Sequence, residues 1–229
     1  MKVTPTEAFR LLKSNSSQGI FIVFEGINGC GKTTQIKRLN QYITAKVCHV
    51  TTTHEPGATP LGIDLRQILL EKSGSKYSIE PTAELLLFAA DRHQHVCSVI
   101  LPALVENQIV LCDRYYYSTA AFQGYGRGLQ HSVINTLNEI ATGSLEPTLV
   151  ILLDLPVEEG LNRTKLRNMK LSDTSQDTFE NEKVQFHQRV REGYLSISDS
   201  SKTPFLILNA NQSADLVWDL MQPLADALA

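Results

Sequence analysis

The stretch that decides the fold is Gly26-Ile27-Asn28-Gly29-Cys30-Gly31-Lys32-Thr33, which matches GxxxxGK followed by Ser or Thr at every specified position. It lies between the apolar, β-branched run 20–25 and a helical pattern that begins at Thr33. Glycines let successive backbone N–H groups surround a phosphate, and the lysine adds a mobile positive charge. The threonine hydroxyl suits a Mg²⁺ ion that bridges two phosphates. This strand–loop–helix unit predicts a nucleoside triphosphate site.

Short apolar runs alternate with longer helical patterns from Ile20 onward. Five runs predict buried strands, at 20–25, 47–53, 109–113, 149–155 and 204–208. Helical patterns lie at 33–45, 60–71 and 81–106, after Pro156, after Phe179 and at 213–228. The alternation predicts a three-layer α/β domain, in which helices cover both faces of a five-stranded parallel sheet. Ligands of such sheets bind at the carboxyl ends of the strands.

Composition excludes several classes of protein. Of the 229 residues, 21 are Lys or Arg and 24 are Asp or Glu, and this net charge of -3 gives no general attraction for nucleic acid. No apolar run approaches the roughly 20 residues that a membrane span needs. The cysteines, Cys30, Cys48, Cys97 and Cys112, form no CxxC pair, which favours free thiols in a cytoplasmic protein. We therefore expect small-molecule ligands, and no nucleic-acid or membrane partner.

Residues 1–18 precede the alternating pattern and are predicted to be an N-terminal extension. Phe9, Leu11 and Leu12 would form the apolar side of a short helix, and the polar run 14–18 would be a linker. The stretch lacks the apolar segment that a signal peptide requires. Residues 19–229 are predicted to form a single domain.

Four further motifs follow the phosphate loop in order. They are Glu55-Pro56-Gly57-Ala58-Thr59 after the second predicted strand, Phe88-Ala89-Ala90-Asp91-Arg92 on the long helix, Asp113-Arg114-Tyr115 after the third strand, and Ser118-Thr119-Ala120-Ala121-Phe122-Gln123-Gly124. Together with the loop, this series resembles the thymidylate kinase family, whose members phosphorylate dTMP to dTDP with ATP and Mg²⁺. The resemblance extends from about residue 21 to the C-terminus. It implies a P-loop NTPase fold, a nucleoside monophosphate kinase domain, and a homodimer joined through the long helix from Pro81.

The resemblance also implies which residues bind the acceptor nucleotide. Phe88 would stack on the thymine ring and Arg92 would hydrogen-bond its carbonyl edge, since residues four apart share a helix face. Arg114 would hold the dTMP phosphate, and Phe122 would crowd the ribose 2′ position. The implied substrate-binding residues are Glu55, Pro56, Arg66, Phe88, Arg92, Arg114, Ser118, Thr119, Phe122 and Gln123. From the residues alone, Phe88 is more typical of a core aromatic, and an exposed Asp113–Arg114 ion pair is about as common as a binding role.

A basic run follows the fourth predicted strand, where Arg163, Lys165, Arg167 and Lys170 stand within eight residues without an acid. On its own, such a run is typical of a solvated helix face. The resemblance instead implies a lid at about 163–180, in which Arg167 stabilises the transition state and Arg163 packs on adenine. Gly29, rather than an arginine, before Cys30 indicates the bacterial type of the family, which has lid arginines.

The resemblance assigns three groups of residues around the phosphates. The implied catalytic residues are Lys32, Arg114 and Arg167. The implied ATP-binding residues are those of the phosphate loop, Thr34 and Arg163, and the implied metal ligands are Thr33 and Asp113.

Two departures from the family pattern bear on turnover. Asn28 stands where relatives often carry an acid that faces the acceptor sugar. Thr178, within Asp177-Thr178-Phe179-Glu180, stands where a lid motif normally has arginine. If that guanidinium acts on the transferring phosphoryl, its loss costs on the order of 10³-fold in rate unless Arg167 or Lys170 compensates.

The sequence thus favours ATP-dependent phosphorylation of dTMP over two alternatives. A deoxynucleoside kinase that acts on thymidine needs a carboxylate base, for which Glu55 is the candidate. A nucleotide-binding paralogue with impaired turnover would be consistent with Asn28 and Thr178. The two alternatives differ from the favoured function in their acceptor and in their turnover, respectively.

Overall fold

A six-stranded parallel sheet forms the centre of the computed structural model, which describes residues 1–14, 19–46, 49–70, 79–171 and 178–229. Its strands are β1 (Lys2–Val3), β2 (Ile20–Glu25), β3 (Val50–His54), β4 (Ile109–Asp113), β5 (Leu149–Asp154) and β6 (Phe205–Asn209). Their order across the sheet is β1-β6-β5-β2-β4-β3. Every neighbouring pair is parallel, so the carboxyl ends of all these strands lie at the same edge of the sheet.

Helices flank this sheet, as the alternating sequence pattern predicts. In chain order they are α1 (Pro5–Ser14), α2 (Lys32–Thr44), α3 (Pro60–Leu70), α4 (Pro81–His95), α5 (Leu101–Val105), α6 (Tyr116–Thr119), α7 (His131–Thr142), α8 (Val157–Leu171), α9 (Val184–Ser200) and α10 (Ala214–Leu228). A π-helical segment, Val96–Ile100, joins α4 to α5, and a second, Ala120–Gly126, follows α6. A 3₁₀ turn, Thr178–Asn181, precedes α9. The predicted α/β fold with a parallel sheet between helices is confirmed.

The predicted strand count of five is wrong, because β1 adds a sixth strand at the sheet edge. Lys2 pairs with Phe205, and Val3 pairs with Leu206. A strand of two residues is too short to show the alternation by which a sequence pattern reveals strands. The second predicted strand, 47–53, is observed from Val50, and residues 47–48 lie outside the described residues.

The helix predicted near the N-terminus is α1, which packs against α10. Ala8 and Leu12 are fully buried, whereas Phe9 and Leu11 are half-buried. The buried side is therefore centred on Ala8 and Leu12, which lie one helical turn apart, so Leu12 is the one predicted apolar residue at its centre. The predicted linker after α1 falls on residues 15–18, outside the described residues.

The long helix predicted over 81–106 is interrupted in its middle. Regular α-helix ends at His95, the segment Val96–Ile100 is π-helical, and α-helix resumes at Leu101. Pro102 explains the change, because it has no N–H and its ring would clash with the carbonyl of the residue four positions earlier. A wider π turn before the proline relieves that clash.

The middle strand β2 positions the site. All six of its residues are buried, as expected for a strand covered on both faces. Its carboxyl end leads into the phosphate loop, and those of β4 and β3 lead into Arg114 and Glu55. Because β2, β4 and β3 are neighbours, these segments lie side by side.

Three cysteines lie within the described residues, and all are free thiols. Cys30 and Cys112 are buried and Cys97 is exposed, while Cys48 lies outside the described residues. Among the helices of the described chain, none has the length and apolar character needed to cross a membrane.

Candidate active site

A cleft of about 860 Å³ opens along the carboxyl edge of the sheet. Its walls come from the phosphate loop with α2, the end of β3 and the residues just after it, α3, α4, the segment after β4, α8 and the turn before α9. All ten residues implied to bind the acceptor line this cleft, and so do Thr34, Arg163, Arg167 and the two implied metal ligands. The fold therefore gathers residues from seven separate segments of the chain into one space.

The phosphate loop turns sharply between β2 and α2. Gly26, Gly29 and Gly31 have φ values of 138°, 80° and 99°, a region that side chains disfavour. A Cβ on Gly29 would lie 2.3 Å from a carbonyl oxygen of α8, so the packing of that helix also requires glycine. Gly26, Ile27 and Cys30 are not part of the cleft lining, and the last two side chains are buried in the core. Any contact of these three residues with a ligand would come from the backbone.

Lys32, the first residue of α2, is buried, and its ammonium lies against the loop. Nζ donates to the carbonyl oxygens of Gly26 (3.2 Å) and Ile27 (3.4 Å) and lies 4.0 Å from Asp113 Oδ1. Thr33 Oγ1 donates a hydrogen bond of 2.9 Å to Asp113 Oδ2. A hydroxyl and a carboxylate thus meet where α2 begins and β4 ends. Such oxygen ligands fit Mg²⁺, which typically takes one or two protein ligands beside phosphates.

Arg114 follows β4 and has a φ of 73°, a rare conformation for a residue with a side chain. Its Nη1 donates to Gly26 O (3.1 Å), Ser118 Oγ (3.0 Å) and Tyr194 OH (3.0 Å). Its Nη2 donates to Asn28 Oδ1 at 2.6 Å. The guanidinium is therefore attached to the phosphate loop itself. The neutral amide of Asn28 orients it without cancelling its charge.

Glu25, the last residue of β2, is a buried carboxylate near Arg114. Its Oε1 accepts from the backbone N–H groups of Tyr115 (2.9 Å) and Ser118 (3.1 Å), and its Oε2 accepts from Ser118 Oγ (2.6 Å) and Tyr194 OH (2.8 Å). Burial raises the pKa of Glu25, and the charge of Arg114 and these donors oppose the rise. Burial also raises the pKa of Tyr194, so its hydroxyl keeps the proton that it donates. Glu25 thereby fixes two of the groups that hold Arg114.

A second buried network surrounds Arg92. Its Nε donates to Glu55 Oε2 at 2.9 Å, and its Nη1 donates to Asn138 Oδ1 at 3.3 Å. His95 Nδ1 lies 2.9 Å from Glu55 Oε1, and His95 Nε2 lies 2.6 Å from Thr53 Oγ1. The side chains of Arg92 and Glu55 are each only 2% exposed. Because both of its oxygens are engaged, Glu55 orients Arg92 rather than standing free as a base.

Aromatic rings form one wall of the cleft beside these arginines. Phe88 is half-buried and lines the cleft, so it is not sealed in the core. Its ring centroid lies 6.1 Å from that of Phe179, and Phe122 meets Phe179 edge to face at 5.2 Å. The guanidinium carbon of Arg114 lies 5.0 Å from the Phe122 ring centroid. Aromatic rings therefore stand next to a cation, which is an arrangement suited to a planar base that carries a phosphate.

The remaining implied acceptor residues differ in exposure. Arg66 is exposed on α3, and its Nη1 donates to the carbonyl oxygen of Pro56 at 2.8 Å. Thr119 is buried, and so is Gln123, whose Nε2 donates to Glu84 Oε1 at 2.9 Å. Arg66 is therefore the only exposed residue among the ten implied to bind the acceptor.

On the opposite side of the cleft, the arginines of α8 are held by acids. Arg163 Nε donates to Glu159 Oε1 at 2.7 Å, and Arg167 Nη2 donates to Glu180 Oε1 at 2.7 Å. Lys165, on the same helix, is exposed. The side chain of Lys170, residue Asp177 and the side chain of Thr178 lie outside the described residues. Of the predicted lid, 163–180, the structure thus describes the parts before and after residues 172–177.

Some side chains of the site were given no role in the sequence analysis. They are Glu25, His95, Asn138, Phe179, Glu180 and Tyr194. Two signals were present: an acid directly before the first glycine of the loop, and a histidine three positions after Arg92 on the same helix face. No local signal joins Glu25 to Tyr194, because they lie 169 positions apart.

Comparison with known proteins supplies the family. The family model described as "Thymidylate kinase" matches residues 24–220. A thymidylate kinase of Geotalea daltonii is 50% identical over 198 residues, which are 86% of this chain and 92% of that protein. One from Trichormus variabilis is 43% identical over 206 residues, which are 90% of this chain and 95% of that protein.

A solved structure gives the same answer. The crystal structure of a thymidylate kinase from Ehrlichia chaffeensis matches with a TM-score of 0.70 at 29% sequence identity, and the match covers 93% of this chain and 100% of that one. The fold, the family match and a relative of 50% identity agree with the motifs read from the sequence. The chain therefore belongs to the thymidylate kinase family.

Proposed function

We propose that the cleft holds ATP and dTMP end to end, and that the chain phosphorylates dTMP to dTDP. One observation carries the proposal beyond family membership. The guanidinium of Arg114 is hydrogen-bonded to the phosphate loop, at Gly26 O and Asn28 Oδ1. A phosphate on the loop and a second phosphate on Arg114 would consequently be neighbours, which is the arrangement that in-line transfer requires.

On the donor side, the loop amides and the positive end of α2 would bind the ATP phosphates, with Thr34 beside them. Lys32 Nζ now donates to loop carbonyls at 3.2 and 3.4 Å. Exchange of these weak neutral partners for phosphate oxygens would strengthen its interactions, because charge-assisted hydrogen bonds are the stronger kind. Arg163 would pack on the adenine.

Mg²⁺ fits the donor set at the start of α2. Thr33 and Asp113 would hold it, through the hydroxyl and carboxylate that lie 2.9 Å apart. When bound, such an ion neutralises charge on the phosphates and fixes their orientation. The contribution of the chain is to present two oxygen ligands on rigid elements, the first turn of a helix and the last residue of a strand.

On the acceptor side, Arg114 and Arg66 would bind the dTMP phosphate. Phe88 would stack on thymine while Arg92, held by Glu55, hydrogen-bonds its edge. Phe122 would favour a deoxy sugar. Ser118, Thr119 and Gln123 would surround the base and sugar. The phosphate of dTMP is already an anion near neutral pH, so its oxygen can attack without a strong general base.

Arg167 would stabilise the transition state from the donor side. Its guanidinium reaches the cleft from α8 and carries a charge that the transferring phosphoryl requires. Lid residues at about 163–180 would exclude water, which would otherwise accept the phosphoryl group. Residues 19–229 would act as one kinase domain.

The alternative of a thymidine kinase is not favoured. That reaction must deprotonate a hydroxyl, and Glu55 is the candidate base. Both Glu55 oxygens are already engaged, with Arg92 and His95 at 2.9 Å each. Arg114 in contrast offers a forked cation suited to a phosphate monoester.

We also propose a homodimer joined through the long helix of α4 and α5. Leu86, Leu101 and Val105 on these helices are 51%, 40% and 79% exposed, and a second copy packed on this face would bury them. Sedimentation velocity at micromolar concentration should give about twice the 25.5 kDa of one chain.

A cytoplasmic location stays a prediction from the cysteine pattern.

A coupled ADP-release assay across nucleoside monophosphates and thymidine tests the function. We expect rapid ADP release with dTMP and slower release with dUMP, because one methyl group in an apolar pocket discriminates by only about 10–200-fold. Activity on thymidine without activity on dTMP would favour the thymidine kinase. Binding of ATP and dTMP without formation of dTDP would favour the impaired paralogue.

A further inference from the structure

The cleft has an acceptor half, formed by the aromatic wall with Arg92 and Arg114, and a donor half on the side of α8, with the phosphate loop between them. Phe179 and Glu180 are neighbours in the chain but belong to these two different halves. The Phe179 ring packs in the aromatic wall, 6.1 Å from Phe88 and 5.2 Å from Phe122 between ring centroids. The Glu180 carboxylate instead reaches α8, where it meets Arg167. Both residues line the cleft. A single peptide unit thus connects the implied thymine pocket to the implied transition-state arginine.

Glu180 sets the position of Arg167. Its Oε1 accepts from Arg167 Nη2 at 2.7 Å, and its Oε2 accepts from Asn168 Nδ2 at 2.9 Å. Asn168 closes the triangle by accepting from Arg167 Nε at 3.3 Å. The Glu180 side chain is 8% exposed whereas that of Arg167 is 54% exposed. The buried carboxylate is therefore the fixed member of the pair, and the exposed arginine is the member that it directs.

The turn that carries both residues is fastened to the acceptor half. Glu182, just after the turn, forms an ion pair with Arg127, and Arg127 Nη2 also lies 3.1 Å from Glu84 Oε2. Glu84 in turn accepts from Gln123, an implied acceptor residue, at 2.9 Å. The guanidinium carbon of Arg127 lies 5.2 Å from the Phe179 ring centroid. Movement of the acceptor pocket would consequently be passed to the turn.

We propose that Phe179 and Glu180 are positioning residues that couple the two half-sites. A base in the acceptor pocket holds Phe179 against Phe88 and Phe122, and Glu180 then holds Arg167 toward the donor phosphates. The inference rests on the proposed function, because it takes the acceptor to be a planar base and the donor to be a nucleoside triphosphate. Linkage requires the effect to be reciprocal, so that the donor nucleotide also tightens acceptor binding.

The test is the ratio of two dissociation constants. The Kd of dTMP is measured by calorimetry without and with saturating β,γ-methylene-ATP and Mg²⁺. For the wild type, the Kd without the ATP analogue divided by the Kd with it should lie within about 5–150. Glu180→Gln should bring the ratio toward one, since a neutral amide cannot hold the guanidinium as an ion pair. Phe179→Leu keeps an apolar side chain but loses the ring, and it should have the same effect. The double variant should be no worse than either single one, because both act through the same connection.

Two further variants separate coupling from a general loss of structure. Glu159→Gln breaks the matched arginine pair on α8, Arg163–Glu159 at 2.7 Å, and should leave the ratio unchanged. Glu180→Asp keeps the charge, so its ratio should lie between the ratio of Glu180→Gln and that of the wild type. Melting temperatures show whether each variant is folded.

A wild-type ratio of one would overturn the inference, and so would a ratio that survives both Glu180→Gln and Phe179→Leu. Formation of dTDP is followed in parallel. Wild-type protein that binds both nucleotides without forming dTDP would refute the proposed function instead, which keeps the two failures distinct.

Discussion

The two halves of the cleft hold their charged side chains in different ways. In the acceptor half, Arg92 and Glu55 are each 2% exposed and are enclosed by further partners. In the donor half, Arg167 is 54% exposed and its acid partner is Glu180. Buried charges with several hydrogen bonds keep one geometry, whereas exposed pairs contribute little and rearrange readily. The acceptor half is thus preorganised, and the α8 side is adjustable.

The largest expected effect comes from Lys32, which adjoins both halves. Lys32→Ala removes a cation that lies against the phosphate loop and 4.0 Å from Asp113. Turnover should fall by about 10³-fold, because a preorganised positive group at the transferring phosphoryl is lost. Steady-state ADP release measures the effect. Activity within a few fold of wild type would remove the loop from the mechanism.

Next comes the acceptor half, which Arg114→Lys should disrupt. A lysine cannot reproduce bonds from two guanidinium nitrogens to Gly26, Ser118, Tyr194 and Asn28, so the KM for dTMP should rise by about 10–100-fold. The KM for ATP should change far less. Arg191→Lys is the matched control, because Arg191 forms a bidentate pair with Asp154 away from the main cleft. Equal changes in the two KM values would contradict the acceptor role.

A smaller effect is expected from the same exchange in the donor half. Arg167→Lys keeps a point charge, and an exposed side chain can adjust its position, so kcat should fall by only about 10-fold or less. The KM for dTMP should stay near the wild-type value. A loss in kcat as large as that of Lys32→Ala would show that α8 is as preorganised as the acceptor half, and the contrast between the halves would fail.

The departure from the family pattern at position 178 tests how much positive charge the lid supplies to the donor half. Thr178→Arg adds the guanidinium that the family pattern carries in the lid. Turnover should rise by several fold if that charge is missing from the transferring phosphoryl. Single-turnover kinetics would report the chemical step directly. An unchanged rate would mean that Arg167 or Lys170 already supplies the charge.

The last prediction concerns stability in the acceptor half. Burial and the nearby charge of Glu55 raise the pKa of Asp91 to about 6, while its Oδ1 accepts from the backbone N–H of Gly57 at 3.1 Å. The folded chain then binds this proton more tightly than the unfolded chain does. Its stabilising contribution is therefore full below about pH 4 and is lost as the pH rises through about 6.

Asp91→Asn keeps the hydrogen bond and removes the titration. The variant should gain up to about 3 kcal/mol relative to wild type at pH 7, and the two should converge near pH 4. Denaturant unfolding at both pH values measures the difference. A constant difference between pH 4 and pH 7 would contradict the raised pKa.

Much of the site could be predicted because its motifs are local. Short series with recognisable spacing contain the phosphate loop, Glu55, Phe88, Arg92 and Arg114. All of these residues line the cleft except Gly26, Ile27 and Cys30 of the loop. The strand count was wrong because β1 has only two residues, and these are a strand only because they pair with β6. The change from α-helix to π-helix after His95 was missed because apolar periodicity continues through it, although Pro102 cannot fit a regular α-helix.

The amino-acid sequence by itself determined the α/β fold class, the loop and the family, since each depends on residue type and spacing within a few turns of chain. Tertiary structure alone decided the environment of those residues: that Tyr194, itself held by Glu25, contacts Arg114, that Arg92 and His95 occupy both oxygens of Glu55, and that Phe179 and Glu180 face different half-sites. The physical reason is that burial and hydrogen bonding between distant segments depend on strand order and helix packing, which no local pattern encodes.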